Sequence, residues 1–182
     1  MPVKQTGFSL AEMLVALAIS SVLLLSAARL LPVLQRNNLQ TLMRFQLQEE
    51  LQLMMFTLEK SVLRAGYCRG ECRGQGLTLG ADGHCLLVRW DENSNGKWEG
   101  VESSDSDFFG YRWRDGSLET QRGVDRCDGG GWERLNDPRT VTIESFRATQ
   151  VDRQIRLTIT AFAKAFPSVR LTVERWLTAA NL

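Results

Sequence analysis

Apolar positions fall into two regimes along the first third of the chain. From Phe8 to Leu34 they form a nearly continuous run, interrupted by small residues, Glu12, Arg29 and Pro32. Beyond it, Leu39, Met43, Leu47, Leu51, Met54, Leu58 and Val62 recur every three or four residues. Gln40, Arg44, Gln48, Gln52 and Lys60 occupy the remaining sides. That period predicts an amphipathic helix continuous with the apolar run. A helix from Phe8 to Ala65 would be about 87 Å long at 1.5 Å per residue. Gly66 is a natural stop. Pro32 lacks a donor and would clash with the carbonyl of Ala28, which predicts a bend there. Met43, Met54 and Met55 stand at helical spacing and read as core positions.

After Gly66 the period changes. Residues 66–84, rich in glycine and cysteine, read as an irregular loop. Strands are predicted where Cys85 to Trp90 forms a short apolar run and where Phe109, Tyr111 and Trp113 alternate with polar residues. Asp115-Gly116 marks a hairpin before Leu118 and Thr120. Further alternation at Val141 and Ile143, at Ile155, Leu157, Ile159 and Ala161, and at Val169, Leu171 and Val173 predicts three more strands. Phe166-Pro167-Ser168 is expected to turn between the last two. The fold class is therefore α+β, a long N-terminal helix whose apolar face covers an antiparallel sheet. The expected organisation is a leader over 1–7, a membrane-spanning segment over 8–34, an amphipathic half-helix over 35–65 and a β-rich domain over 66–182.

The N-terminal run carries the most specific chemistry. Met1 to Gly7 is a short polar leader containing Lys4, and Glu12 lies near the start of the apolar stretch. An ordinary signal peptide has no carboxylate there and ends at a small-residue cleavage site. An acid in hydrocarbon costs about 2.5–3.5 kcal/mol even on lenient insertion scales, so something must use it. Lys4 places the N-terminus on the cytoplasmic side, with a single span and the remainder exported.

Cys68, Cys72, Cys85 and Cys127 all lie beyond the apolar run. An even count in an exported chain predicts two disulfides, with three pairings open, stapling the loop after the helix to the sheet. Zinc held by Cys68, Cys72, His84 and Cys85 is the alternative use of these ligands, but the spacing fits no familiar finger. His84 reads as a turn residue after Asp82-Gly83. A formal net charge of +1 gives no global field to attract nucleic acid or anionic lipid.

The leader resembles the type IV pilin, or class III signal peptide, family through Lys4, Gly7, Phe8, Ser9, Leu10, Glu12 and the apolar run that follows. The resemblance implies cleavage between Gly7 and Phe8 by a membrane prepilin peptidase and methylation of the new N-terminus at Phe8. It also implies that Glu12 pairs with a neighbouring subunit's amino terminus during assembly, which would make the buried acid tolerable. Arg64-Ala65-Gly66-Tyr67-Cys68, the stretch Trp90 to Gly96 and the four-cysteine layout are similar to minor pilins of the prepilin peptidase-dependent protein B kind. They are more distantly similar to J-type minor pseudopilins of type II secretion. The implied partners are the prepilin peptidase, other minor and major pilins or pseudopilins, and an inner-membrane assembly platform. The implied location is the bacterial inner membrane, with the folded domain in the periplasm.

Asp91, Asn93 and Asn95 alternate, Gly96 follows and Glu102 closes the stretch, matching D-x-N-x-N-G-x5-E. In that pattern oxygens at alternating positions wrap calcium; Lys97 would offer its carbonyl and Glu99 would act directly or through water. Six acids face one lysine between Asp91 and Asp107. Calcium is accordingly the candidate cofactor. Against it, the segment before the loop reads as a strand and the flanking helices of an EF-hand are missing. A catalytic site would need a nucleophile held against a base; one histidine and no nucleotide loop supply none. Arg64, Arg69 and Arg73 offer a basic cluster to nucleic acid, but three arginines near a loop are ordinarily a solvated surface.

Overall fold

The computed structural model describes residues 7–182. Lys4 and the rest of the leader ahead of Gly7 lie outside the described residues. The chain divides into two compact units, Met1–Leu42 and Met43–Leu182.

Helix α1 runs over Leu10–Arg64, with Pro32 inside it and not ending it. In the first unit every described residue except Gln40 is exposed, including Phe8 at 86% and Leu10 at 80%. The apolar character there is therefore unspent within the chain. The helix ends where Gly66 turns left-handed at φ 84°, and a Cβ at that position would collide with the carbonyl of Asn181. Only glycine fits both conditions.

In the second unit α1 buries Leu47, Leu51, Met54, Met55, Leu58 and Val62. These pack against two antiparallel sheets. The first joins β1 (Leu77–Leu79), β2 (Cys85–Arg89), β3 (Phe108–Arg114), β4 (Ser117–Arg122) and β5 (Glu133–Arg134) in sequence order. The second joins β6 (Val141–Val151), β7 (Gln154–Ala163) and β8 (Phe166–Thr178), also in order. Inward-facing Leu86, Val88, Tyr111 and Leu118 from the first sheet meet Val141, Ile143, Phe146, Ile155, Leu157 and Ile159 from the second in one core with the helix. Ile143 donates its backbone N–H to the Gly116 carbonyl and Ala148 to the Gly83 carbonyl, both at 2.8 Å. Turns of the first sheet are thereby tied to the inner edge of the second.

The expected single sheet is two. Two short strands, β1 and β5, were not legible because neither is long enough for alternation to show. β1 lies inside the segment read as an irregular loop, and its order comes from pairing with β2. Phe166 already pairs with Ala163, so the turn falls at Lys164-Ala165 and Pro167 sits within edge strand β8, where a missing N–H is tolerated. The Asp115-Gly116 hairpin forms as predicted, with φ of 49° and 74°, both left-handed as a type I′ turn requires.

The cysteines form two disulfides, Cys68–Cys72 and Cys85–Cys127. The first closes a small ring within the loop after α1 instead of stapling that loop to the sheet. The second ties the start of β2 to the segment between β4 and β5. With every thiol in a disulfide, the zinc alternative loses all three of its thiolate ligands.

Candidate functional site

Two places carry the predicted site residues. The first is the start of α1. Ser9 and Glu12 form a reciprocal capping box: Glu12 N–H donates to Ser9 Oγ at 3.2 Å, and Ser9 N–H donates to Glu12 Oε2 at 2.8 Å. Two of the four orphan amides at the helix start are satisfied this way. Glu12 therefore has local work within its own chain besides any contact between chains. Gly7 precedes the cap, and a Cβ there would meet no atom of the described residues within 4 Å. Nothing among the described residues asks for glycine at this position. An 18-residue window of α1 has mean hydropathy 2.2 with none of it buried, a length and polarity that suit a bilayer crossing.

The second place is the loop between β2 and β3. Asp91, 1% exposed, is its centre. Its Oδ1 accepts the Asn95 N–H at 2.9 Å, and its Oδ2 accepts those of Arg69 at 3.0 Å and Gly96 at 2.9 Å. Burial alone would raise the Asp91 carboxyl, but these backbone donors together hold it below the usual carboxylate range. Asn93 Oδ1 accepts from Asn95 N–H, and Asn95 Oδ1 accepts from Lys97 N–H, each at 3.1 Å. Asn95 Nδ2 donates to Glu99 Oε1 at 2.7 Å, with Lys97 Nζ 3.6 Å from the same oxygen.

Asp107, fully buried, closes the loop from the far side by accepting the Glu92 and Glu99 amides, each at 3.0 Å. Burial and the facing Glu99 carboxylate raise Asp107, whereas contact with Asp107 lowers Glu99. Glu99 Oε2 is buried and meets no N–H donor, facing only the Asp107 carboxyl. Glu102, the expected closing ligand, is exposed. Among the described residues no group of three or more His, Cys, Asp or Glu side chains converges as a metal site. Asp107 was not singled out because it falls beyond the twelve-residue pattern. The only hint was its place at the end of the acidic run.

The disulfide ring packs on this loop. A Cβ on Gly70 would strike the Gly96 backbone, so at this point the two segments meet glycine against glycine. The Tyr67 carbonyl accepts from Asp91 N–H at 2.9 Å and from Trp98 Nε1 at 3.1 Å. The structure thus brings Cys68, Cys72, Asp91, Asn93, Asn95, Lys97 and Glu99 into one substructure at the end of α1, and leaves Glu102 outside its hydrogen bonds. His84 is elsewhere, in contact with the Phe146 carbonyl and tilted against Trp113.

Comparison with known proteins covers both places. The profile described as "Prokaryotic N-terminal methylation motif" matches residues 3–28, and that described as "Prepilin peptidase-dependent protein B" matches residues 40–179. The Escherichia coli (strain K12) protein of the latter name is 41% identical over 187 residues, covering 100% of both chains. No solved structure gives a significant match. With this full-length similarity and with its methylation motif on an apolar helix, the chain belongs to the prepilin peptidase-dependent protein B family, pilin-like structural proteins and not enzymes.

Proposed function

We propose that this protein is a minor type IV pilin, a low-copy subunit that initiates fibre assembly after a prepilin peptidase removes residues 1–7. The observation that carries this reading is the pairing of an unconstrained Gly7 with a wholly exposed apolar helix directly after it. A glycine that no described residue requires suits recognition by a peptidase, and the unspent apolar surface suits the inner membrane first and other subunits afterwards. Cleavage between Gly7 and Phe8 frees the Phe8 amine for methylation. Intact-mass analysis of the membrane-extracted protein, with and without the peptidase, should give a chain beginning at methylated Phe8 only when the peptidase is present. Any other N-terminus would overturn the reading.

Glu12 would serve assembly by meeting the amino terminus of a neighbouring subunit. Its capping role supplies the control. Ser9→Ala removes half the capping box and leaves the acid, whereas Glu12→Gln removes the charge and retains a side chain able to cap. A piliation assay should show loss with Glu12→Gln and near-normal assembly with Ser9→Ala. Equal loss in both would reduce Glu12 to a capping residue.

Calcium in the loop is a second element of the proposal, supported by the D-x-N-x-N-G-x5-E spacing from Asp91 to Glu102 and by the facing carboxylates of Glu99 and Asp107. Asp91, Asn93, Asn95, the Lys97 carbonyl and Glu99 would form the set, and the exposed Glu102 would have to swing inward to close it. A cation held there should raise the melting temperature by mass action. Identical melts in millimolar calcium and in chelator would remove it.

A further inference from the structure

An apolar groove of about 420 Å³ lies in the second unit between α1 and the adjoining ends of β6 and β7. Met43, Leu47, Leu53, Val141, Ala163 and Ala165 form most of its wall. Glu50 also lines it, and Glu50 Oε2 is buried without a hydrogen-bond partner. A buried carboxylate oxygen with no donor costs free energy that the fold itself does not recover.

The charges around Glu50 define what could recover it. Glu49 beside it on α1 and Asp137 ahead of β6 are acidic. Burial, and then repulsion from Asp137, raise the Glu50 carboxyl. The nearby cations are already engaged. Arg139 donates to both oxygens of Asp137, with contacts between 3.0 and 3.3 Å, and Lys164 donates to the Pro138 carbonyl at 3.2 Å. The groove is therefore apolar, net acidic and short of one cation. Along the same helix Phe45, Leu53, Phe56 and Leu63 stand at least half exposed, a stripe that a helical partner would cover.

We propose that this groove receives a lysine or arginine flanked by aliphatic side chains on a helix of a neighbouring pilin-like subunit, the cation pairing with Glu50. The proposal rests on the assembly reading above, and it assigns that reading a polar anchor on the folded unit, away from Glu12.

The test uses the full chain in nanodiscs with n-hexylammonium as the probe and 1-hexanol and hexanesulfonate as controls. Binding is read from the methyl resonances of Met43, Ala163 and Ala165. Hexylammonium should give saturable shifts at all three, about tenfold tighter than hexanol, and Glu50→Gln should erase that advantage. Arg139→Gln frees Asp137 and should tighten hexylammonium binding, which decides the matter if Glu50→Gln fails to fold. Equal binding of hexanol and hexylammonium, or no response to either substitution, would overturn the proposal. In cells, a photocrosslinker at Leu53 should yield a peptide from the helix of another pilin-like subunit. Crosslinks to lipid alone, in a chain correctly processed at Phe8, would sink the groove and leave the pilin reading standing. Failure of processing would sink that reading instead.

Discussion

The hydroxyls of Ser61 on α1 and Tyr111 on β3 lie 2.6 Å apart inside the core, a buried polar link between the helix and the first sheet. Ser61 Oγ also donates to the Thr57 carbonyl at 3.0 Å, so the Tyr111 hydroxyl donates to Ser61. Tyr111→Phe should cost about 1 kcal/mol in denaturant unfolding, the net worth of a hydrogen bond whose partner keeps another contact. Burial raises the Tyr111 phenol above its ordinary value, although Ser61 and Thr120 oppose the shift. A neutral form favoured by folding gives stability that is complete below the unfolded value near pH 10 and declines as pH rises above it. Tyr111→Phe should flatten that alkaline limb in pH-dependent melts.

Asp91 holds three backbone amides that belong to two separate segments. Asp91→Ala should lower the melting temperature far more than Asn93→Ala, which gives up one side-chain contact within the loop. Its carboxyl lies below the ordinary range, so the stability it contributes is present above about pH 4 and is lost as pH falls through the lowered folded value. Wild type should show an acid limb there that Asp91→Asn lacks, read by circular dichroism.

The two disulfides should not be equivalent. Cys85–Cys127 spans 42 residues and Cys68–Cys72 only 4. Loop-closure entropy gives roughly 4 kcal/mol for the first and roughly 2 kcal/mol for the second. Replacing both cysteines of the long bridge by alanine should therefore lower stability about twice as much as replacing those of the short one. Equal losses in denaturant titrations would point to native-state contacts in place of chain entropy.

Arg112 and Glu119 form an ion pair at 2.7 Å with both side chains almost fully buried. The Arg112 guanidinium also donates to the Cys127 and Gly129 carbonyls and stacks 4.3 Å from the Trp132 ring centre. Arg112→Leu alone strands a buried carboxylate and should cost about 3–5 kcal/mol. The double change Arg112→Leu, Glu119→Leu should cost less than the single one. A double mutant less stable than Arg112→Leu would contradict the ion-pair account.

The long elements were readable because each repeats its signal. Leu47, Leu51, Met54, Leu58 and Val62 mark one helix face, and Ile155, Leu157, Ile159 and Ala161 mark one strand face. What stayed hidden depends on contacts distant in sequence. β1 exists through its pairing with β2, and the division into two sheets is not written in any local period. At the loop, alternating Asp91, Asn93 and Asn95 read as oxygens placed to wrap a cation. That backbone amides occupy Asp91, and that Asp107 closes the loop instead of Glu102, required the path of the chain beyond the pattern.

The surroundings of Gly66 have a mechanical meaning. Gly66 N–H donates to the Arg89 carbonyl at 2.8 Å, the Gly76 backbone abuts it, and the Asn181 carbonyl occupies the space a Cβ would need. Tension entering the second unit along α1 reaches β2 through Gly66 and the Asp91 loop through Tyr67, within three residues of the helix's end. Two backbone hydrogen bonds, at Gly66 and at Tyr67, thus fasten the end of α1 to β2 and to the Asp91 loop at successive residues.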